Sequence, residues 1–182
     1  MGVFAAILAG AVLTACSGAS SVSGTSAEAP GPSIPLDASC SSADVHYGAI
    51  PFPGAVDQGL PQGVPWVAGS SSRIVGVLFY IGSRPFDSTP LRRAVISTRG
   101  NTSNGSTKIL WWVRGIGLGH DLTIAGHRVD GNGSFRERWG SALGTTTHPS
   151  IVSVAAAGCW QLHLRSGAIS DDVTFQAVAL HS

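Results

Sequence analysis

The sequence predicts an all-β protein, a two-sheet antiparallel β-sandwich that follows a signal peptide and a flexible tether. Short runs rich in Val, Ile, Trp and Phe recur between Gly, Pro, Asn and Ser clusters, which is typical of strands and turns. No segment shows a sustained helical period flanked by capping residues. A charge-free apolar run near the N-terminus is followed by a stretch of small and polar residues. A closed barrel is the alternative arrangement of so many short strands.

The apolar run is Val3 to Ala15, VFAAILAGAVLTA, and it contains no charged residue. It is shorter than the roughly 20 residues that span a bilayer as a helix. Its length fits the apolar region of a secretory signal peptide. We therefore expect residues 1–15 to be a signal peptide. The alternative is a buried helix of the folded domain.

The run ends in Leu13-Thr14-Ala15-Cys16, which resembles the bacterial lipobox, where a small residue precedes a cysteine that is acylated and becomes the new N-terminus. The resemblance implies a lipid on Cys16 and a lipoprotein of the bacterial cell envelope. The protein would be anchored to the outer face of the membrane or in the periplasm. The alternative is that Cys16 is an ordinary core thiol.

Residues 17–38 read SGASSVSGTSAEAPGPSIPLDA and are dominated by Ser, Ala, Gly and Pro. Such a segment buries too little apolar surface to offset the entropy of ordering it. We expect residues 16–38 to be a disordered tether with a root-mean-square span of about 25–30 Å. Residues 39–182 then form a single domain, large enough for a real core.

The charge balance and the cysteine content restrict the expected function and compartment. Eleven basic residues nearly balance ten acidic ones, so nothing predicts nucleic-acid binding. The chain has three cysteines, and if Cys16 carries lipid, Cys40 and Cys159 remain. In an oxidising envelope compartment these two are expected to form a disulfide. The bridge would close a loop of about 120 residues, worth roughly 4–5 kcal/mol in the chain-entropy model. Two buried free thiols are the alternative.

The strand-like runs are separated by turn sequences. They include the Asn-Gly and Ser clusters at residues 101–106, GIGLGHD, DGNG and SGAISD, in chain order. Nine strands are predicted, near Val64–Val67, Arg73–Ile81, Leu91–Thr98, Lys108–Arg114, Leu122–Val129, Ser134–Trp139, Ile151–Ala155, Cys159–Arg165 and Val173–Leu180.

Alternation along the last two strands assigns their faces. Trp160, Leu162 and Leu164 share one face, and Gln161, His163 and Arg165 share the other with Cys159. Val173, Phe175, Ala177 and Ala179 likewise oppose Thr174, Gln176, Val178 and Leu180. SGAISD, between the two strands, is predicted to be their hairpin connection.

Three segments together, KILWWVRG, LTIAGHRVDG and HPSIVSVAAAGCWQLHL, resemble a group of bacterial secreted proteins and lipoproteins with one immunoglobulin-like sandwich domain and no assigned function. The matching positions are Lys108, Leu110, Trp111, Asp130, Gly131, Pro149, Ser150, Gly158, Cys159 and Trp160. The chain departs from the group at Ala157, where a proline is expected. The resemblance implies an immunoglobulin-like fold and an envelope location but no activity.

Catalytic motifs are not found in the sequence. A nucleophile elbow needs Gly-x-Ser-x-Gly, and the nearest match, Gly69 to Arg73, lacks the closing glycine and precedes a predicted strand. Asp130-Gly131-Asn132-Gly133 starts like a calcium loop, but Phe135 and Ser141 stand where Gly and Glu are required. A tight turn is the better interpretation. We expect no cofactor.

Two groups of residues are candidates for ligand binding. His120, Asp121 and His127 would serve a hydrolase or a metal-handling protein. Trp111 and Trp112 point to opposite faces of one strand, so one of them lies outside the core. That indole is either exposed and stacks on a sugar ring, or is covered by a loop such as Gly115 to His120 or by the N-terminal segment.

Together these observations predict a non-catalytic binding or interaction module of the envelope, held to the membrane by lipid on Cys16. An envelope polysaccharide or a protein is the expected partner. The alternatives are a carbohydrate-binding module with an exposed tryptophan, and the histidine-based hydrolase or metal-handling protein.

Overall fold

A computed structural model describes residues 39–81, 92–98 and 106–179. These residues contain nine strands and no helix. The strands are β1 (Trp66–Ala68), β2 (Ile74–Ile81), β3 (Val95–Ser97), β4 (Ser106–Val113), β5 (Leu122–Arg128), β6 (Ser134–Trp139), β7 (Thr147–Ile151), β8 (Gly158–Ser166) and β9 (Ile169–Val178). The predicted signal peptide, Cys16 and the tether lie outside the described residues and stay predictions.

The strands form two sheets, which confirms the predicted β-sandwich. One sheet is antiparallel with the order β1-β2-β4-β7, and the other has the order β3-β9-β8-β5-β6. In the second sheet β3 pairs with β9 in parallel, and its other pairs are antiparallel. Because neither sheet closes on itself, the barrel alternative is wrong. Within the described residues, no helix is long and apolar enough to span a membrane.

The core lies between the sheets, where inward side chains of both meet. On β8, Trp160, Leu162 and Leu164 are at most 1% exposed, which confirms the predicted inward face. On β4, the Trp111 ring packs edge-on against Phe175, with 6.3 Å between ring centroids. Its Nε1 donates to Ser150 Oγ at 3.0 Å. A buried indole with a satisfied N–H joins both sheets at the centre of the domain.

Gly76 on β2 leaves the space that the Trp111 ring occupies. A Cβ at this position would lie 2.7 Å from Cζ3 of Trp111, closer than real side-chain contacts. The largest core side chain is thus accommodated by the smallest residue on the neighbouring strand, since Gly76 and Trp111 are register partners.

Two predicted elements differ from the structure. The seventh strand was expected at Ile151–Ala155 but runs from Thr147 to Ile151. It includes Pro149, which is tolerated because β7 is an edge strand. The β8–β9 connection is only Gly167-Ala168, because the rest of the expected SGAISD turn belongs to the two strands. Gly167 adopts a φ of 55°, which a tight hairpin turn requires and which glycine adopts at little cost.

The segment before β1 covers the outer face of the first sheet. Ile50, Ala55 and Leu60 pack there on outward side chains of the sheet and form a second apolar cluster, which we call the outer cluster. The sheet contributes Trp66, Val75, Val77 and Trp112 to it. The first sheet is therefore also covered over much of its outer face, with Lys108 of β4 still exposed, and the second sheet is open along β5 on its outer face.

The disulfide between Cys40 and Cys159 is confirmed. It joins residues 119 apart in sequence, with 5.4 Å between their Cα atoms. Cys159 is the second residue of β8. The start of the folded domain is thus fixed at the end of the sandwich where β8 begins.

Candidate binding surface

Trp111 and Trp112 are both buried, on opposite faces of β4. Trp111 is fully buried between the sheets, and Trp112 is 4% exposed beneath the outer cluster. Of the sequence alternatives, the structure shows the one in which the N-terminal segment covers the outward indole. Neither ring is presented to solvent for stacking on a sugar, so the exposure on which that hypothesis depended is not found.

His120, Asp121 and His127 are not brought together. Five residue steps separate Leu122 from His127 along β5, a distance of about 16 Å at roughly 3.3 Å per residue. His120 lies before the strand, beside the turn at Gly167. Asp121 accepts from Arg138 at 2.6 Å. The hydrolase or metal site predicted from these three residues therefore has no shared centre.

His127 and His163 do lie on neighbouring strands. Ala125 is the register partner of His163 and lies two residues from His127, so the two imidazoles are diagonal neighbours on the outer face. His163 Nδ1 is 2.9 Å from Oδ1 of Asp172 on β9. Across residues 39–81, 92–98 and 106–179, no group of three or more His, Cys, Asp or Glu is placed to hold a metal ion.

Asp130 belongs to the β5–β6 hairpin, as the turn interpretation predicts. Its Oδ1 accepts from Arg128 Nε at 2.7 Å, and its Oδ2 accepts from the Cys159 N–H at 3.2 Å. The Arg128 hydrogen bond, assisted by that of Cys159, holds the pKa of the Asp130 carboxyl below its ordinary value. Both carboxylate oxygens thus bind groups of the chain itself, where a calcium ligand would need them free.

The Gly69–Arg73 loop is a carboxylate-binding loop. The Ser70 hydroxyl donates to Oδ1 of Asp171 at 3.2 Å, and the N–H groups of Ser71 and Arg73 donate to the same carboxylate, each at 2.8 Å. The Ser70 hydroxyl therefore donates to a buried carboxylate, and within the described residues no imidazole lies beside it to act as a base. This arrangement fastens the β1–β2 loop to β9, where an activated serine would need a base beside it.

The open face of the second sheet carries a feature that the sequence did not reveal. On β5 the small side chains Thr123 and Ala125 point outward. The register places Arg138 and Arg165 on either side of Thr123, and Arg136 and His163 on either side of Ala125. Strands two apart in a sheet are separated by about 10 Å. A shallow trough therefore runs along β5 between two rows of long polar side chains, and we call it the β5 furrow.

The arginine and histidine side chains of the β5 furrow are exposed. Arg138 is 76% exposed even though it pairs with Asp121, and His163 is 49% exposed beside Asp172. Arg136 makes no hydrogen bond or ion pair with any described residue, while Arg165 makes one long hydrogen bond, 3.4 Å from Nε to the Gly167 carbonyl. Exposed ion pairs stabilise a fold by only about 0–1 kcal/mol, so these side chains are available to a ligand.

The β5 furrow could not be predicted from the sequence because it depends on strand pairing. The alternation in SFRERW places Arg136 and Arg138 on one face of β6, and that signal is in the sequence. The pairing of β6 and β8 with opposite sides of β5 is not in the sequence, since β5 and β8 are separated by two other strands. Only the fold shows that three arginines share one surface.

Comparison with known proteins adds no relative. No protein-family model matches the chain, and a search of curated proteins finds no match.

His148 on β7 is buried between the sheets at their β6–β7 edge. It is 1% exposed, and its Nδ1 lies 3.3 Å from the Trp139 carbonyl oxygen. Desolvation, opposed in part by backbone hydrogen bonds to Trp139 and Gly140, lowers its pKa below the ordinary value. A neutral imidazole enclosed in the core serves packing and is not accessible to a ligand.

Proposed function

We propose that this protein is a non-catalytic binding module of the bacterial envelope that holds a linear anionic polymer in the β5 furrow. The observation that carries the proposal is the pair of cationic rows on either side of the small side chains of β5. Three arginines outnumber the two aspartates, Asp121 and Asp172, that pair with the furrow's side chains. Repeated phosphate or carboxylate groups are the complementary chemistry.

The dimensions of the furrow favour an extended chain over a compact ligand. Arg136 and Arg138 lie two residues apart on one strand, a separation of about 7 Å. Across the trough, Arg165 and His163 repeat this spacing on β8. A polymer lying along β5 would meet a guanidinium or an imidazole on both sides at each repeat, whereas a small anion would meet only one or two of them.

An envelope location is part of the proposal. It is supported by the LTAC pattern at Cys16, by the composition of residues 17–38 and by the resemblance to secreted immunoglobulin-like domains. The Cys40–Cys159 bridge agrees with an oxidising compartment. A lipid-held domain with a flexible tether would carry the furrow within reach of polymers near the membrane surface.

Polymer binding is tested on the segment Gly31–Ser182. The chain divides into two units between Pro30 and Gly31, and all described residues belong to the second. We expect polyphosphate and polygalacturonate to bind to immobilised segment in a salt-sensitive manner, and uncharged dextran not to bind. The double variant Arg136→Gln, Arg165→Gln should weaken binding of the anionic polymers by roughly tenfold or more, because charged hydrogen bonds contribute about 1.5–3 kcal/mol each.

The matched control is Lys108→Gln. Lys108 is an exposed cation on β4, in the other sheet, so its loss removes one charge, as each single furrow substitution does, without touching the furrow. Binding of dextran as tightly as the anionic polymers would overturn the proposal. Equal weakening by Lys108→Gln and by either furrow substitution alone would also overturn it, since that result would mean a non-specific charge effect.

A further inference from the structure

Three strongly exposed aliphatic side chains lie in the connections at one end of the sandwich. Leu143 is 102% exposed, Val56 74% and Leu118 63%. Leu118 belongs to the β4–β5 connection, Leu143 to the β6–β7 connection, and Val56 to the segment that covers the first sheet. We call this the loop end; it is also the end at which β8 turns into β9.

Strand pairing brings the three connections to the same place. Trp112 on β4 pairs with Thr147 on β7, and Leu122 on β5 pairs with Trp139 on β6. The two connections, β4–β5 and β6–β7, therefore begin and end at paired strand ends. They cross between the sheets side by side. The Gln58 side-chain oxygen accepts from the Thr146 N–H at 3.0 Å, which ties the Val56 segment to the second connection.

These side chains are not part of the core. Neither apolar cluster includes Val56, Leu118 or Leu143. Single exposed leucines are ordinary on protein surfaces. Here, however, two leucines and a valine project from adjacent connections at one end. Together they form an apolar surface that stays exposed to water after folding.

Basic side chains lie at the strand ends from which these connections leave. Exposed Arg73 directly precedes β2. Arg138 is the penultimate residue of β6, and Arg165 is the penultimate residue of β8. Asp121, the carboxylate nearest to Arg138, is paired with it, and exposed Asp57 is the remaining acidic residue beside Val56. Asp171 is buried under its own loop and 3% exposed. With Arg114 of the β4–β5 connection, four guanidinium groups at the loop end outnumber by one the carboxylates of Asp57, Asp121 and Glu137.

We propose that the loop end is a lipid-binding surface that inserts Leu118 and Leu143 at the headgroup–acyl boundary of an anionic bilayer. Aliphatic side chains bury their surface among acyl chains, and the arginines at the strand ends contact lipid phosphates, the combination used by interfacial membrane-binding elements. A bilayer accepts scattered side chains without matching pockets, whereas a protein partner would need a separate pocket for each. Leu118 and Leu143 lie outside the β5 furrow, although the loop end shares Arg138 and Arg165 with it.

The affinity of such a site is modest. Two leucine side chains bury fewer methylene groups than a myristoyl chain, which alone binds bilayers with an association constant of about 10⁴ M⁻¹. The loop end by itself would bind reversibly. A lipid on Cys16 would make this second contact intramolecular and raise its occupancy through a millimolar effective concentration.

The predicted tether is long enough for both contacts. The bridge at Cys159 fixes the start of the domain opposite the loop end, since β8 runs nine residues from Gly158 to Ser166. That length corresponds to about 30 Å, whereas 23 extended tether residues reach about 76 Å. The domain can therefore turn its loop end to the same membrane that holds the predicted anchor.

The test measures co-sedimentation of the segment Gly31–Ser182 with vesicles of mixed phosphatidylglycerol and phosphatidylcholine, and with vesicles of phosphatidylcholine alone. We expect binding to the anionic vesicles, weakened roughly tenfold or more by the double variant Leu118→Ser, Leu143→Ser. Val129→Ser is the matched control, because Val129 is 58% exposed where β5 ends, at the opposite end of the strand from the Leu118 connection. This control should bind as the parent segment does.

Absence of binding to the anionic vesicles by the parent segment would overturn the proposal. Equal binding by the leucine double variant would overturn it too, as would equal loss in Val129→Ser. Polyphosphate binding measured on the same variants separates this proposal from the polymer proposal, because Leu118 and Leu143 lie outside the β5 furrow. Each site can therefore fail while the other is retained.

Discussion

At the scale of single residues, Asp171 shows how a buried charge can hold a loop. Burial by itself raises the pKa of this carboxyl, but backbone N–H groups of Ser71, Ile74 and Arg73 donate to it and together hold the pKa below its ordinary value of 3.8. The folded state therefore favours the ionised form. Its contribution to stability is present above pH 3.8 and is lost as the pH falls through the lower, folded-state pKa.

We predict that Asp171→Asn lowers the free energy of unfolding by about 2–4 kcal/mol at pH 7. The amide replaces one acceptor oxygen with a donor that faces N–H groups of the loop, so buried donors are left without partners. Urea unfolding monitored by tryptophan fluorescence measures the difference. The difference should shrink as the pH is lowered below 3.8, because the unfolded parent chain takes up a proton at this carboxyl there and the folded one does so at still lower pH.

The matched control for this prediction is Asp172→Asn. Asp172 is the next residue in β9, but its side chain is 42% exposed and pairs with His163 at the surface. Its loss should cost less than about 1 kcal/mol. Equal stability of Asp171→Asn and the parent protein at pH 7 would show that the loop does not depend on the carboxylate charge.

At the scale of elements, β4 separates two apolar clusters with two adjacent indoles. Trp111 contributes to the core between the sheets, and Trp112 contributes to the outer cluster. Four backbone hydrogen bonds hold the covering segment in its own turns, donated by the N–H groups of Ala55, Gln58, Gly59 and Leu60. The segment makes no ladder with the sheet below. Apart from the hydrogen bonds that Thr146 donates to the Gln58 side chain, its attachment depends on apolar contact with rings such as Trp112.

We predict that Trp112→Ala releases the covering segment while the sandwich stays folded. Amide hydrogen exchange at Gln58, Gly59 and Leu60 should accelerate by roughly tenfold or more, because removal of a buried indole costs about 3–5 kcal/mol of packing. Exchange in β8 and β9 should change little. Trp111→Ala is the comparison, and it should accelerate exchange in both regions because that ring contacts both sheets. Parallel acceleration in Trp112→Ala would contradict separate clusters.

Elements predicted from local pattern were largely confirmed. The alternation in CWQLHLR placed Trp160, Leu162 and Leu164 on the buried face. The predicted position of β7, Ile151–Ala155, was wrong, because the strand begins at Thr147 and includes Pro149, which is acceptable only at a sheet edge. The parallel pairing of β3 with β9 and the β5 furrow could not be predicted, since each depends on which distant strands become neighbours.

At the scale of the whole molecule, the fold places its features at different positions around one sandwich. The disulfide marks the end where the predicted tether enters, the loop end lies opposite, and the β5 furrow occupies the open face of the second sheet. The first sheet presents no such open face, because residues 50–60 cover much of it. The two surfaces differ in Leu118, Leu143 and Arg136 but share Arg138 and Arg165, so a polymer along the furrow would compete with lipid phosphates for these two guanidinium groups.

The Cys40–Cys159 bridge restrains most of the chain at once, because the loop that it closes contains β1 to β7. β8 and β9 lie outside that loop in sequence but in the middle of the second sheet, between β5 and β3. Many strand pairs must therefore form between residues far apart in sequence. Closing these long loops during folding costs conformational entropy. A cross-link that shortens those separations acts mainly on the unfolded state.

We predict that the double variant Cys40→Ser, Cys159→Ser unfolds with a free energy about 3–5 kcal/mol lower than the oxidised protein, the range expected for a closed loop of this length. Urea unfolding of Gly31–Ser182 measures it, and the reduced parent segment should match the double variant. This segment lacks Cys16, so no other thiol can exchange with the bridge. Because both cysteines are nearly buried, at 8% and 6% exposure, serine at these positions also loses some packing. Agreement between the reduced parent and the variant would assign the loss to the cross-link, whereas a loss confined to the variant would assign it to packing.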